Sequence, residues 1–178
     1  MTPILRAAQL AVRAHAGQAR KYSHRPYIEH PMRVAGRVLI LGFEDEPLVC
    51  AAWLHDVIED CGVTKSEICG EIDFATGKIV EELTNTSKIT HPHLNRAKRK
   101  SLDRARIETI GLPAKTIKLI DRIDNLRDIM ADALTNDEAA KFLPVYREES
   151  RLLLEVLRGT HEGLESELES LVTGETAK

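Results

Sequence analysis

The chain has 178 residues, the length of one domain, long enough to bury a core and still leave one cleft. With 43% hydrophobic and 30% charged residues it fits no collagen-like, disordered or membrane-spanning class, and its longest apolar run, Leu48–Leu54, is far short of the roughly 18 residues a spanning helix needs. The net charge of −3 argues against a general nucleic-acid binder but hides a split: residues 1–40 carry seven Lys/Arg against Glu29 alone, a surplus of six positive charges, and the remainder is nine negative. A basic opening on an acidic body fits an anionic ligand and fits an unevenly charged surface.

The elements read as helix after helix. Thr2 caps a first helix with Pro3 in its first turn, and Ile4, Ala7, Ala8, Leu10, Ala11 and Ala14 keep an apolar stripe as far as Gly17. After a polar turn through Ser23–Pro26, a second helix is predicted over Pro31–Leu41, stopping at Gly42. A third, the most apolar, opens at Asp45 and Pro47 and ends near Cys61–Gly62. Thr64 and Glu67 have the spacing of a capping box for a short fourth helix, and Gly77–Leu83 reads as a fifth. A loop is expected over Thr84–His93, then a basic helix over Asn95–Ile110 and another from Leu112–Pro113 to about Met130. Pro144–Arg158 and Thr160–Val172 complete the set. No alternating β-branched run of strand length occurs, so the class is all-α, with one domain over 1–173 and a flexible tail over 174–178.

Cys50, Cys61 and Cys69 are an odd number without C-x-x-C spacing, which suggests neither a disulfide framework nor a thiolate zinc site. The N-terminus also lacks the apolar core of a secretory signal, so a cytoplasmic protein is expected.

Three polar segments stand out. Within the apolar third helix, His55 and Glu59, and Asp56 and Asp60, are four residues apart and would share one strip. Three carboxylates there repel one another near a helix C-terminus, where the macrodipole already disfavours them, so a bound cation is one explanation and a solvated acidic face the other. His30 precedes Pro31 at a helix entry, where it serves as a structural cap or a ligand. Asp121 and Asn125 share a face beside Ile117, Ile120 and Ile123.

Together, Y-I-x-H-P at Tyr27–Pro31, H-D-x-x-E-D at His55–Asp60 and K-L-x-D-R-x-x-N-L-R at Lys118–Arg127 resemble the HD-domain hydrolases of the RelA/SpoT type, which remove the 3′-pyrophosphate of the alarmone (p)ppGpp. The resemblance spans roughly residues 7–158, including Ala14–Lys21 and the Arg99–Lys100 pair. It implies an HD-domain bundle of roughly 8–10 helices with a metal in a central cleft, and the length implies a stand-alone small hydrolase without a synthetase domain. It further implies His30, His55, Asp56 and Asp121 as ligands of one Mn²⁺, with zinc or iron left open by ligand type, and Glu59 and Asp60 as the catalytic acids. Arg20, Lys21, Ser23, Asn125 and Tyr146 match nucleotide contacts, and Lys98–Lys100 offer cations for phosphates. His15 reads as a packed histidine bracing the site, and His91 and His93 as a surface pair.

Three departures bear on selectivity: His24-Arg25 where the family usually has glycine and a polar or acidic residue, Asp124 where it has His or Tyr, and Asn85-Thr86 where small hydrolases have two acids. A guanine alarmone, an adenine alarmone such as (p)ppApp and the 2′-phosphate of NADPH therefore all stay open as substrates. So do a nucleotidase-type HD phosphohydrolase, a non-catalytic alarmone-binding module and homo-oligomerisation. The acidic pair favours pyrophosphohydrolysis.

Overall fold

The computed structural model describes residues 1–174; of the tail expected over 174–178, all but Gly174 lies outside them. Eleven helices follow one another among the described residues: α1 (Pro3–Ala14), α2 (Glu29–Ile40), α3 (Glu46–Leu54), α4 (Val57–Cys61), α5 (Lys65–Glu71), α6 (Phe74–Leu83), α7 (Ser87–Thr90), α8 (Arg96–Glu108), α9 (Leu112–Asp132), α10 (Asp137–Leu157) and α11 (Glu162–Thr173). The only β pairing described is an isolated bridge between Ala19 and Pro26. No helix is long and apolar enough to cross a membrane.

The long α9 is the axis. It packs against α2, α3, α6, α10 and α11, and every side chain from Thr116 to Ile123 is buried. A helix enclosed on all sides must satisfy the polar groups it carries, and α9 carries Lys118, Asp121 and Arg122 in that buried stretch. The apolar α3 is the second enclosed element, packed among α1, α2, α6 and α9.

Local chemistry accounts for the ends. Thr2 Oγ1 accepts from Leu5 N at 3.4 Å, Thr64 and Glu67 close their capping box reciprocally, and Asn95 Oδ1 accepts from Lys98 N at 3.0 Å. Two helix starts differ most from expectation. α6 begins at Phe74 rather than Gly77, because Asp73 Oδ1 caps it by accepting from Thr76 N at 2.7 Å. Gly77 instead marks a close approach to α5, since a Cβ there would lie 2.5 Å from Cys69 Sγ. α10 begins at Asp137 rather than Pro144: Asn136 Oδ1 caps it by accepting from Glu138 N and Ala139 N, and Pro144 sits inside the helix. Within the loop expected over Thr84–His93, Ser87–Thr90 forms a single helical turn.

The most consequential difference is a break in the expected third helix at His55–Asp56. On a regular helix these neighbours would point about 100° apart. The turn lets both aim at one place, with His55 Nε2 3.0 Å from Asp56 Oδ2.

Leu119 is fully buried in α9. Replacing it with alanine should lower stability by about 2–5 kcal/mol, read as a drop in the urea midpoint at unchanged slope.

Candidate functional site

Four side chains from three parts of the fold meet at the broken helix. His30, fully buried in the first turn of α2, places its Nε2 3.1 Å from His55 Nε2. Asp56 Oδ2 lies 3.7 Å from His30 Nε2, and Asp121 Oδ1, from α9, lies 3.2 Å from His30 Nε2 and 3.8 Å from His55 Nε2. His30, His55 and Asp56 each offer a ligand atom within 4.8 Å of the others. Asp121 stands at the edge of that group, its Oδ2 held by Lys118 Nζ at 2.9 Å.

The tautomers decide what this cluster wants. His55 Nδ1 is 2.9 Å from the Ala52 carbonyl, which can only accept, and His30 Nδ1 is 2.6 Å from Asp124 Oδ2. With those protons assigned, both Nε2 atoms turn lone pairs toward each other and toward two carboxylates, an arrangement that calls for a cation. Burial alone would depress the His55 imidazole, yet Asp56 and then Asp121 raise it to about 9, so that a proton on Nε2 takes the place between them whenever no metal ion does. The donor set therefore fits a divalent metal.

Asp124 is not stray negative charge beside the site. Arg33 Nε and Nη2 bind its carboxylate bidentately at 2.6 and 2.7 Å, and His30 takes the inner oxygen. Burial would raise this carboxyl, but the bonds from His30 and Arg33 hold it down at about 2. Tyr27 was also missed as a functional residue: its hydroxyl donates to Asp56 Oδ2 at 2.7 Å and lies 3.5 Å from Asp60 Oδ2, and its ring stacks on buried His15. The tyrosine in Y-I-x-H-P was the available signal, since a half-buried phenol needs an acceptor.

Glu59 and Asp60 follow in α4. Asn85, standing where an acid was expected, donates to Glu59 Oε2 from its backbone at 3.1 Å and from Nδ2 at 3.0 Å, while Lys88 Nζ lies 3.3 Å from Oε1. Burial, Asp56 and Glu59 push the Asp60 carboxyl above its ordinary range.

Beside the metal donors opens a cavity of about 360 Å³ lined by Arg20, Lys21, Tyr22, Tyr27, Asn125, Phe142 and Tyr146, among others. Arg20 Nη2 is 2.7 Å from Asn125 Oδ1 and 3.1 Å from Asp128, and Asn125 Nδ2 donates in turn to Asp121 Oδ1. Lys21 Nζ sits 4.7 Å from the Tyr22 ring centroid. Ser23 does not line this cavity; its buried Oγ has no hydrogen-bond partner. Of the three consecutive cations on α8, Lys98 is exposed, Arg99 turns to the Leu94 carbonyl, and Lys100 is half-buried. The loop carrying Arg20 and Lys21 is closed by Arg20 N donating to Arg25 O at 2.8 Å and Tyr27 N to Gln18 O at 3.0 Å. His24 has a left-handed backbone there, φ +57°, where a glycine would be relaxed.

Residues 7–148 match the family described as HD domain. The mouse (Mus musculus) guanosine-3′,5′-bis(diphosphate) 3′-pyrophosphohydrolase MESH1 is 34% identical over 171 residues, covering 94% of this chain and 92% of the relative, and the human (Homo sapiens) counterpart is 35% identical over 172 residues with the same coverage. A solved structure described as a metazoan ortholog of SpoT that hydrolyses ppGpp superposes with a TM-score of 0.82 at 27% identity, over 98% of this chain and 96% of that one.

Two substitutions test the geometry. Asp124→Asn should weaken divalent-metal affinity by about 10–100-fold, measured by chelator competition, with the helical circular dichroism retained. His24→Gly should stabilise the protein by about 0.5–1 kcal/mol in urea titration, the left-handed cost of histidine less the added entropy of glycine.

Proposed function

The chain belongs to the HD-domain family, and from that premise we propose that it is a metal-dependent hydrolase of the 3′-pyrophosphate of an alarmone nucleotide, (p)ppGpp or (p)ppApp. The observation that carries this reading is Asn125, which joins the two halves of the site: it donates to Asp121 among the metal donors and accepts from Arg20 in the aromatic, cationic cavity. A phosphorylated 3′-position placed at that junction has its nucleoside on one side and the metal donors on the other.

We read His30, His55, Asp56 and Asp121 as the ligands of one divalent ion, with Mn²⁺ suited to two imidazoles and two carboxylates. When bound, the ion would lower the pKa of a water and offset phosphate charge. Asp124 and the Ala52 carbonyl orient the two imidazoles, and Tyr27 orients Asp56. Glu59, immobilised by Asn85 and Lys88, and Asp60, whose carboxyl burial and the neighbouring Asp56 hold above its ordinary range, orient the attacking water and take its proton. The water oxygen bonds to the phosphorus attached to the ribose 3′-oxygen and the P–O3′ bond breaks. Pyrophosphate leaves carrying the water oxygen, and the proton passes to the 3′-oxygen, restoring the hydroxyl. Arg20 lies against the base, Lys21 faces phosphate, and Tyr146 completes the nucleotide wall, with Ser23 assigned to the base by the motif alone. A cytoplasmic setting accords with an enzyme of soluble nucleotides bearing three unpaired thiols.

The test incubates metal-stripped and Mn²⁺-loaded protein with ppGpp, ppApp, NADPH and dAMP, then separates pyrophosphate from orthophosphate. Pyrophosphate from ppGpp or ppApp, only with metal, is expected; orthophosphate alone, from NADPH or dAMP, overturns the reading. Glu59→Gln combined with Asp60→Asn should cut kcat by about 10²–10⁴-fold while metal content is unchanged.

A further inference from the structure

Asp121, Asp124, Asn125 and Asp128 repeat along α9 at i, i+3, i+4 and i+7, the spacing of a single helix face. A face turned inward is ordinarily apolar, and three carboxylates at this spacing repel one another. Arginines from outside α9 relieve them. Arg33 on α2 grips Asp124 and also reaches Asp128 Oδ2 with its Nη2 at 2.7 Å, and Arg20 Nη2 meets that same Asp128 oxygen at 3.1 Å. Among the described residues Asp128 is the only carboxylate paired with Arg20. Their side chains are 11% and 13% exposed, so water and salt screen the pair little.

These contacts close a ring with two arms that start at Arg20. The short arm is Asn125, which accepts from Arg20 and donates to Asp121 among the metal donors. On the long arm, Asp128 joins Arg20 to Arg33, Arg33 holds Asp124, and Asp124 engages Nδ1 of the metal donor His30 at 2.6 Å. The arms meet where Asp121 Oδ1 lies 3.2 Å from His30 Nε2. Arg20 lines the nucleotide cavity, with its guanidinium carbon 5.4 Å from the Tyr27 ring centroid. A base stacked against the guanidinium plane uses its face and leaves its N–H edge on Asn125 and Asp128. Immobilising Arg20 in this way steadies both arms, so the metal donors have less freedom to lose when an ion arrives.

We infer that Asp128 is a positioning residue that couples the nucleoside cavity to the metal donors, fixing Arg20 directly and the His30 ring through Arg33 and Asp124. The inference rests on the hydrolase reading above and deepens it, since each half of the site then prepares the other. Whichever ligand binds first tightens the second, by the same factor in either order.

The test measures Mn²⁺ affinity by chelator competition with and without guanosine or adenosine, nucleosides that have no phosphate to touch the ion. In wild type the nucleoside should tighten Mn²⁺ about fivefold or more, and calorimetric titration should show Mn²⁺ tightening the nucleoside by the same factor. Asp128→Asn keeps the shape and loses the charge, so the factor should fall toward one with the helical circular dichroism retained. Arg33→Gln cuts the ring at a second, half-exposed point and should act alike, which keeps the test readable if Asp128→Asn does not fold. Arg25→Gln is the control: Arg25 Nη2 lies 3.1 Å from the other Asp128 oxygen but stands outside the ring, so the factor should persist. A factor absent from wild type, unchanged in both cuts, or lost in Arg25→Gln overturns the inference, and leaves the hydrolase reading intact if ppGpp or ppApp yields pyrophosphate. An Asp128→Asn protein that binds nucleoside more weakly by the same amount with and without Mn²⁺ also overturns it, since Asp128 would then act on the base alone. A factor that depends on Asp128, in a protein that releases no pyrophosphate from either alarmone, upholds the coupling and sinks the hydrolase reading.

Discussion

Two imidazole nitrogens 3.1 Å apart, turned toward each other and toward two carboxylates because each ring's Nδ1 is engaged elsewhere, define the constraint around which this molecule is arranged. Their mutual repulsion, and that of Asp56 and Asp121 beside them, is relieved by a positive charge held between them. Meeting that condition requires the entry of α2, the junction of α3 with α4 and the middle of α9 to converge on one point. The apolar packing of α3 and α9 supplies the rigidity that holds these groups together, as metal sites need from their surroundings.

The basic opening proves to be mostly internal wiring. Arg20, Arg25 and Arg33 all reach Asp128, Arg33 also clamps Asp124, Arg13 pairs with Glu71 and Arg37 with Glu167. Lys21 has no carboxylate partner described and faces the cavity. The charge split seen in the sequence is thus largely internal pairing: Arg20, Arg25 and Arg33 stitch the N-terminal loop and α2 to α9, Arg13 joins α1 to α5, and Arg37 joins α2 to α11. The cations available to an anionic substrate are fewer than the count suggests.

Helix content and most helix ends were legible because caps and periodicity are local: Thr2, Thr64 and Asn95 act through neighbours within one turn. The motifs bearing His30, His55, Asp56, Asp121 and Asn125 were legible because their spacing is specific. The break at His55–Asp56 was not, since an unbroken apolar pattern says nothing about a turn imposed by partners on α2 and α9. Pro144 misled because a proline fits a first turn better than an interior, and the true cap, Asn136, lies a full two turns earlier. Asp124 read as an intrusion because its partners, His30 and Arg33, lie more than ninety residues away in the chain.

The burial of α9 has a consequence for substrate length. Asp121 stands at the histidine cluster, Asn125 bridges it to Arg20, and Asp132 lines the aromatic cavity. At about 1.5 Å of rise per residue these positions fall roughly 6 and 10 Å apart along one axis. Surface loops of a hydrolase flex with their ligand, whereas a helix enclosed by five others keeps its graduations. For a nucleotide bound as proposed above, the reach from cluster to cavity is gauged by the core itself, and one of a different length meets a ruler that does not bend.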